Sequence, residues 1–159
     1  MRPQLFKNTF PNKEKGQAFV EFGLVLVLLL ILLAGVVDLG RAFYTFIMLR
    51  DAAMEGVAYG SAFPGHCNQI EDRIIDNLNP GMMVDMQIQY SDGSSTYSCG
   101  DTNVNLVACP GNEIEISVSQ SDFPVTMPLL GAFIGRQTIN LTADVSGTVI
   151  QPPCGMASP

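Results

Sequence analysis

The hydrophobic residues of this chain are arranged in two different patterns. Near the N-terminus, the run from Phe22 to Val37 contains 16 residues and no charged side chain. Counted from Ala18, the apolar stretch reaches 20 residues and contains one acid, Glu21. About 20 mainly apolar residues are needed for a helix to cross the hydrocarbon core of a bilayer. The first pattern therefore predicts a transmembrane helix over 18–37.

The helix is expected to continue past the membrane to about residue 62, because no proline interrupts it and helical spacing persists. Asp38 and Arg41 are three residues apart, a spacing at which the two side chains can pair on a helix. The predicted inward face of the outer half consists of Phe43, Phe46, Ile47, Ala53, Met54, Val57 and Ala58, and the predicted outward face contains Thr45, Asp51 and Glu55.

Beyond residue 63 the hydrophobic period changes. A short helix is predicted over 70–78, and three later segments, 84–91, 113–119 and 138–145, alternate between apolar and polar residues. A period of two is typical of antiparallel strands with one buried face. A small sheet covered by the outer half of the long helix would bury both apolar faces, so the predicted fold class is α+β.

Charged residues are distributed unevenly along the chain. The 159 residues carry 8 Lys and Arg against 15 Asp and Glu, a formal net charge of -7, yet the first 15 residues contain four cations and one acid. Cations flanking an apolar span favour the cytoplasmic side. We therefore expect a basic leader over 1–16, a long helix over 17–62 and an extracytoplasmic domain over 63–159. The acidic remainder argues against a nucleic-acid partner.

The four cysteines, Cys67, Cys99, Cys109 and Cys154, all fall in the predicted exported domain. An even number of cysteines in an oxidising compartment predicts two disulfides. Of the three possible connectivities we favour Cys99 with Cys109, which would leave Cys67 to join Cys154. Metal binding is the weaker alternative, because the sequence has no C-x-x-C and its one histidine, His66, directly adjoins Cys67.

No catalytic or ligand-binding motif is evident in the sequence. The sequence lacks a phosphate-binding glycine loop, a metalloprotease motif, a calcium loop and a plausible catalytic triad. We expect no enzyme activity, no cofactor and no metal.

The apolar segment Phe123 to Gly135 separates the last two predicted strands and contains two prolines. One interpretation is a connection that covers the open end of the sheet. The other is a contact with a second subunit or with the membrane surface, because an exposed apolar segment of this length needs a partner. The sequence does not separate these interpretations.

The start of the apolar run distinguishes three kinds of N-terminal segment. A secretory signal fits poorly, because an acid lies at the start of its apolar core, and a plain anchor gains nothing from Glu21. Residues 15–21, Lys-Gly-Gln-Ala-Phe-Val-Glu, resemble the processing site of type IV prepilins. The resemblance implies cleavage after Gly16 by a prepilin peptidase, Gln17 as the first mature residue, and Glu21 as the counter-charge to a neighbouring subunit's amine.

A longer stretch resembles the TadE/TadG family of tight-adherence, pilin-like proteins. It includes Glu21-Phe-Gly-Leu-Val-Leu, Gly35-Val-Val-Asp-Leu-Gly-Arg41, Leu49-Arg-Asp-Ala-Ala and Glu55-Gly-Val-Ala-Tyr. The resemblance implies a structural subunit, most like a minor pilin, with other pilins, a prepilin peptidase, an inner-membrane assembly platform and membrane lipid as partners. It also implies a single-pass inner-membrane protein with its N-terminus inside, which could also be found in extracellular filaments. The alternative function is a membrane-anchored adhesion or binding domain that never polymerises.

Overall fold

The computed structural model describes residues 14–127 and 135–151 and confirms the α+β class, with a long apolar helix, further short helices and a four-stranded antiparallel sheet. The elements are α1 Glu14–Ala62, α2 Cys67–Asp76, β1 Asp85–Ser91, β2 Thr96–Ser98, α3 Val104–Val107, β3 Glu113–Pro124 and β4 Thr138–Thr148.

The sheet has the strand order β2-β1-β3-β4, and every neighbouring pair is antiparallel. The alternation seen in the sequence sets its inward face, because Ile114, Ile116 and Val118 of β3 are fully buried. Tyr90 of β1 is also fully buried and lies opposite Ile114. This face packs against α1, so the core lies between the sheet and the outer half of the long helix.

The predicted inward face of α1 is wrong at most positions. Ala53 and Val57 are buried as expected, but Phe43, Phe46, Ile47, Met54 and Ala58 are exposed. Thr45, expected to face outward, is buried. The residues that α1 presents to the sheet and to α2 are mostly small: Leu49, Ala52, Ala53, Gly56, Val57, Gly60 and Ser61.

Two glycines explain why small residues occupy this face. A Cβ atom added at Gly56 would lie 2.7 Å from Cγ1 of Ile74, and one added at Gly60 would lie 2.5 Å from Cδ1 of Ile114. Real side chains do not approach so closely, so the branched side chains of α2 and β3 occupy the space that a larger helix residue would need. The large apolar residues of α1 point outward because the inward side has no room for them.

Strand β3 is longer than predicted and irregular near its end. The register with β4 shifts between Gln120 and Phe123, and Asp122 there has a φ of 67°. Pairing with β4 resumes after this bulge, and beyond Pro124 the backbone N–H of Val125 donates to the carbonyl of Gln137 at 2.9 Å. The hairpin thus runs along α1 toward the half of the helix that is predicted to span a membrane. Residues 128–134 of the apolar segment discussed above lie outside the described residues.

Candidate membrane and assembly segment

The residues of the predicted processing site lie in the first turns of α1, which begins at Glu14. Gly16, Gln17 and Glu21 are all exposed. The side-chain amide of Gln17 donates a hydrogen bond to the carboxylate of Glu21 at 3.3 Å. Gln17, the predicted first mature residue, and Glu21 therefore lie on the same side of one helix, four residues apart, and the carboxylate of Glu21 has no partner of opposite charge among the described residues.

Within the described residues, α1 is the one helix long and apolar enough to cross a membrane. Its most apolar 18-residue window has a mean hydropathy of 2.9, and none of that window is buried. A core helix of a globular domain would be covered by other elements, whereas the side chains in this window of α1 are uncovered around the whole circumference of the helix. The structure therefore fits a single-pass membrane anchor.

A cluster of polar contacts lies where α1 leaves the predicted span. Asp38 is only 5% exposed, and its carboxylate accepts hydrogen bonds from the hydroxyl of Thr126 and from the backbone N–H of Met127. Arg41 lies 3.5 Å from the same carboxylate, which confirms the predicted pair, and its guanidinium lies 5.5 Å from the ring centroid of Phe123. Asp38 thus joins α1 to the end of the β3–β4 hairpin.

Apolar contacts continue this junction toward the predicted span. A Cβ atom added at Gly35 would lie 3.5 Å from Sδ of Met127, so the methionine packs against the helix backbone one turn below Asp38. A small apolar cavity borders this contact, lined in part by Leu39, Phe123 and Ile139. Sequence reasoning found the Asp38 and Arg41 pair from its spacing, but Thr126 is 88 residues from Asp38 and no local signal marks it as a partner.

On the C-terminal side of this junction, α1 carries large apolar side chains that no other described element covers. Phe43 and Tyr44 are each 63% exposed, and Ile47 and Met54 are about two-fifths exposed. They extend the apolar surface of the predicted span onto the outer half of the helix.

The structure corrects the favoured disulfide connectivity. Cys67 is bonded to Cys99, with their Cα atoms 5.7 Å apart, so neither Cys99–Cys109 nor Cys67–Cys154 forms. Cys109 is also disulfide-bonded, while Cys154 lies outside the described residues. Cys67 begins α2, and Cys99 follows β2 with its backbone N–H bonded to the carbonyl of Ile88 at 2.8 Å. The bridge therefore ties α2 to the β2 edge of the sheet.

No group of three or more His, Cys, Asp or Glu side chains suited to a metal ion occurs in residues 14–127 and 135–151. His66 precedes α2 and is exposed. The polar groove on the outer face of the sheet is lined by Gln87, Gln89, Glu115, Ser117 and Asp144. Acids and amides on a solvated sheet face are the ordinary exterior of such a sheet.

Comparison with curated proteins gives no match, and comparison with solved structures gives none. A protein-family model does match, and it covers most of α1, including the residues of the predicted processing site, the apolar span, and Asp38 and Arg41, but not Thr126 or Met127. Residues 16–58, a little over a quarter of the chain, match the family described as TadE-like protein, which confirms the resemblance seen in the sequence.

Proposed function

We propose that this protein is a pilin-like structural subunit of a tight-adherence pilus or a related type IV-like secretion system, of the minor, TadE type. The observation that carries the proposal is the TadE-like match, which begins at Gly16 and covers the exposed apolar helix. Proteins of that family are pilin-like and are associated with the Tad pilus. Other pilus components are accordingly the expected partners, and assembly and surface adhesion are the proposed roles.

In this proposal the subunit inserts into the inner membrane with its basic leader inside and its sheet outside. A prepilin peptidase then cleaves after Gly16. One feature supports cleavage at this bond: glycine costs a helix about 1 kcal/mol relative to alanine. Gly16 therefore lowers the free energy needed to unwind the helix locally at the scissile bond.

Cleavage at this bond would create an α-amino group on Gln17, whose ordinary pKa is about 7.7–8.0. The carboxylate of Glu21 in a neighbouring subunit is the proposed counter-charge. Glu21 is exposed, so it is accessible to such a neighbour. Once two helices pack in an apolar setting, removal of one partner of a buried ion pair typically costs about 3–5 kcal/mol. This is enough to exclude a subunit from an assembly.

The first test of the proposal is the N-terminus of the mature protein. Gln17 is expected at that position, and Gly16→Leu is expected to block cleavage, because the enlarged side chain adjoins the scissile bond. Gly23→Leu is the matched control, since Gly23 is in the same helix with no neighbouring atom within 4 Å of an added Cβ. Retention of residues 1–16 in the unsubstituted protein would instead support a plain anchor that does not polymerise.

The second test separates assembly from insertion. Glu21→Gln keeps the size and polarity of the side chain but removes its charge, so insertion and cleavage should persist while recruitment into pili or the secretion complex fails. Mass spectrometry of the mature N-terminus must accompany the assay, because an N-terminal glutamine can cyclise and lose its amine. Normal recruitment of the Glu21→Gln protein, with Gln17 carrying a free amine, would refute the proposed pairing.

A further inference from the structure

The outer half of α1 carries an exposed stripe on the side of the helix that faces away from the sheet. Successive residues of an α-helix are about 100° apart around its axis. Asp38, Ala52 and Gly56, which are buried against the rest of the protein, therefore lie about 140–180° from Ile47. The exposed stripe lies within about 60° of Ile47 and consists of Phe43, Tyr44, Ile47, Arg50, Asp51, Met54 and Ala58, all of them exposed.

The exposed stripe needs a protein partner, because lipid cannot cover it. Phe43 and Tyr44 are each 63% exposed and Met54 is 42% exposed, and contiguous apolar surface of this kind marks an interaction site. At 1.5 Å per residue, Phe43 and Ala58 lie about 9 Å and about 31 Å beyond residue 37, where the predicted span ends. The headgroup layer of a bilayer is about 5–8 Å thick, so the stripe projects beyond it.

Two opposite charges interrupt the apolar part of the stripe at nearly the same height along the helix axis. Arg50 lies about 60° to one side of Ile47, and Asp51 lies about 40° to the other side. Both side chains are exposed, and neither takes part in an ion pair among the residues that the structure describes. Contacts within the described part of the chain therefore leave both charges available.

A second copy of the chain supplies the matching charges. Two copies that cross one membrane in the same orientation can be related by a twofold axis along the membrane normal. Rotation about that axis brings the Arg50 side of each stripe opposite the Asp51 side of the other, at heights that differ by about 1.5 Å. Two reciprocal Arg50–Asp51 pairs can then form, one on each side of the apolar contact. The stripe is therefore self-complementary.

We propose that the exposed stripe is the contact between two parallel copies of this chain, packed side by side at equal height. Helices packed in this way lie about 8–10 Å apart, with Phe43, Ile47 and Met54 between them. A shift of one helical turn, about 5.4 Å, would separate Arg50 from Asp51 of the second copy, so the charges set the register. The inference deepens the proposed function by naming a surface for contact between subunits, and it rests on the membrane insertion in that function.

Exchange of the two charges tests the proposed contact. The full chain, as isolated from membranes, is labelled with a donor or an acceptor dye through a C-terminal peptide tag and reconstituted into vesicles of phosphatidylethanolamine and phosphatidylglycerol. Energy transfer over a range of protein-to-lipid ratios gives the dissociation constant in the bilayer. Arg50→Asp and Asp51→Arg each place like charges on both sides of the contact, so each should raise this constant about tenfold or more. The variant with both substitutions should return to within about threefold of the unsubstituted protein.

Mixing the two single variants separates pairing between copies from an effect within one copy. Donor-labelled Arg50→Asp protein and acceptor-labelled Asp51→Arg protein should associate with each other more tightly than either does with itself, because every acid then faces a base. Arg136→Asp and Asp76→Arg are the matched controls, since they make the same charge changes at exposed positions outside the stripe. Both controls should leave the dissociation constant unchanged.

The apolar part of the stripe is tested in the same vesicles. Ile47→Ala should raise the dissociation constant about fivefold or more, because it removes apolar contact at the centre of the stripe. Leu106→Ala, at an exposed apolar position of α3, should not change it.

Three outcomes would overturn the inference. The first is energy transfer no greater than chance proximity in the vesicles produces. The second is association that Arg50→Asp and Asp51→Arg leave unchanged, which would assign it to the span alone. The third is weakening in both single variants without recovery in the exchanged variant or in the mixture, which would exclude pairing at equal height. Failure of the proposed function is distinguishable, because a protein that is not inserted would fail to float with the vesicles, and a mature N-terminus other than Gln17 would leave the energy transfer unaffected.

Discussion

Gly56→Ala tests whether close packing of α1 on its neighbours determines which face of the helix is buried. The added Cβ would lie 2.7 Å from Cγ1 and 2.9 Å from Cδ1 of Ile74, and 3.0 Å from Cδ1 of Ile116. Both isoleucines are fully buried and Cγ1 is near the main chain, so the strain is hard to relieve. Forcing an extra methyl group into a packed core costs about 1–3 kcal/mol.

The same substitution also improves helix propensity by about 1 kcal/mol, which would mask part of the effect. Gly40→Ala is the matched control, because Gly40 is in the same helix and an added Cβ there meets nothing within 4 Å. The gain in helix propensity is the same in both variants, so it cancels when their stabilities are compared. Gly56→Ala should therefore be about 1–3 kcal/mol less stable than Gly40→Ala.

The assay is urea unfolding of the full chain in detergent micelles with disulfides intact, followed by near-ultraviolet circular dichroism of the tyrosines. Truncation of the opposing side chain provides a second check. Ile74→Ala alone should cost about 2–5 kcal/mol, but the Gly56→Ala, Ile74→Ala double variant should be more stable than the sum of the single effects predicts. Equal stability of Gly56→Ala and Gly40→Ala, with additive effects in the double variant, would refute the packing argument.

Three further predictions concern the sheet and its bridges. Burial raises the pKa of Tyr90 from 10.0 to about 12. The stability that the neutral Tyr90 side chain contributes is therefore fully present below pH 10 and is lost as the pH rises toward 12, which lowers the free energy of unfolding by up to about 2.7 kcal/mol. Tyr90→Phe should remove this alkaline loss of stability, and an alkaline unfolding profile that is the same in the variant as in the unsubstituted protein would contradict the prediction. Replacing Cys67 and Cys99 together by alanine should lower the free energy of unfolding by roughly 3–4 kcal/mol, because the bridge closes a separation of 32 residues; urea midpoints measured with and without the bridge check this. Peptide mapping without reductant should recover Cys109 joined to Cys154, the one pairing left within the chain, and a free thiol on Cys154 would exclude it.

The elements that the sequence predicts well are those whose signal is local. Strands β1, β3 and β4 alternate residue by residue, and Ile70 and Ile74 of α2 repeat at helical spacing and are fully buried. Strand β2 was not predicted, because Thr96–Ser98 is too short and too polar to show a period. Helix α3 was missed for a similar reason, since four residues make scarcely more than one turn.

The inward face of α1 could not be predicted from the size of its apolar residues. Large apolar residues such as Phe43 and Ile47 suggest burial, but a helix face can also be buried because its residues are small enough for neighbouring elements to pack closely against it. Gly60 allows Ile114 and Tyr90 to approach the helix axis, and that requirement becomes visible only when the partner is known. On a helix that anchors a protein in a membrane, apolar residues can contact lipid or another helix instead of the domain core. A large apolar residue there does not by itself indicate burial in the core.

Long-range pairings were unpredictable for a different reason. The favoured bridge between Cys99 and Cys109 minimised sequence separation, but cysteines pair according to distance in the folded chain. The start of α2 lies beside the end of β2, and this proximity brings Cys67 to Cys99. Likewise, Asp38 reaches Thr126 because β3 runs the length of the outer helix.

The way the sheet follows α1 has a mechanical consequence. Contacts between the helix and the sheet extend from Asp38, bonded to Thr126, to Ser61, whose carbonyl accepts from the backbone N–H of Ile150 at 2.8 Å. At 1.5 Å per residue this junction is about 35 Å long, and both β3 and β4 run beside the helix along it. Tension applied along the helix axis would load these contacts in parallel as shear, so that many must break together. Tension across the axis would open them one after another from the hairpin end. The sheet should therefore resist being pulled along α1 far better than being peeled sideways from it.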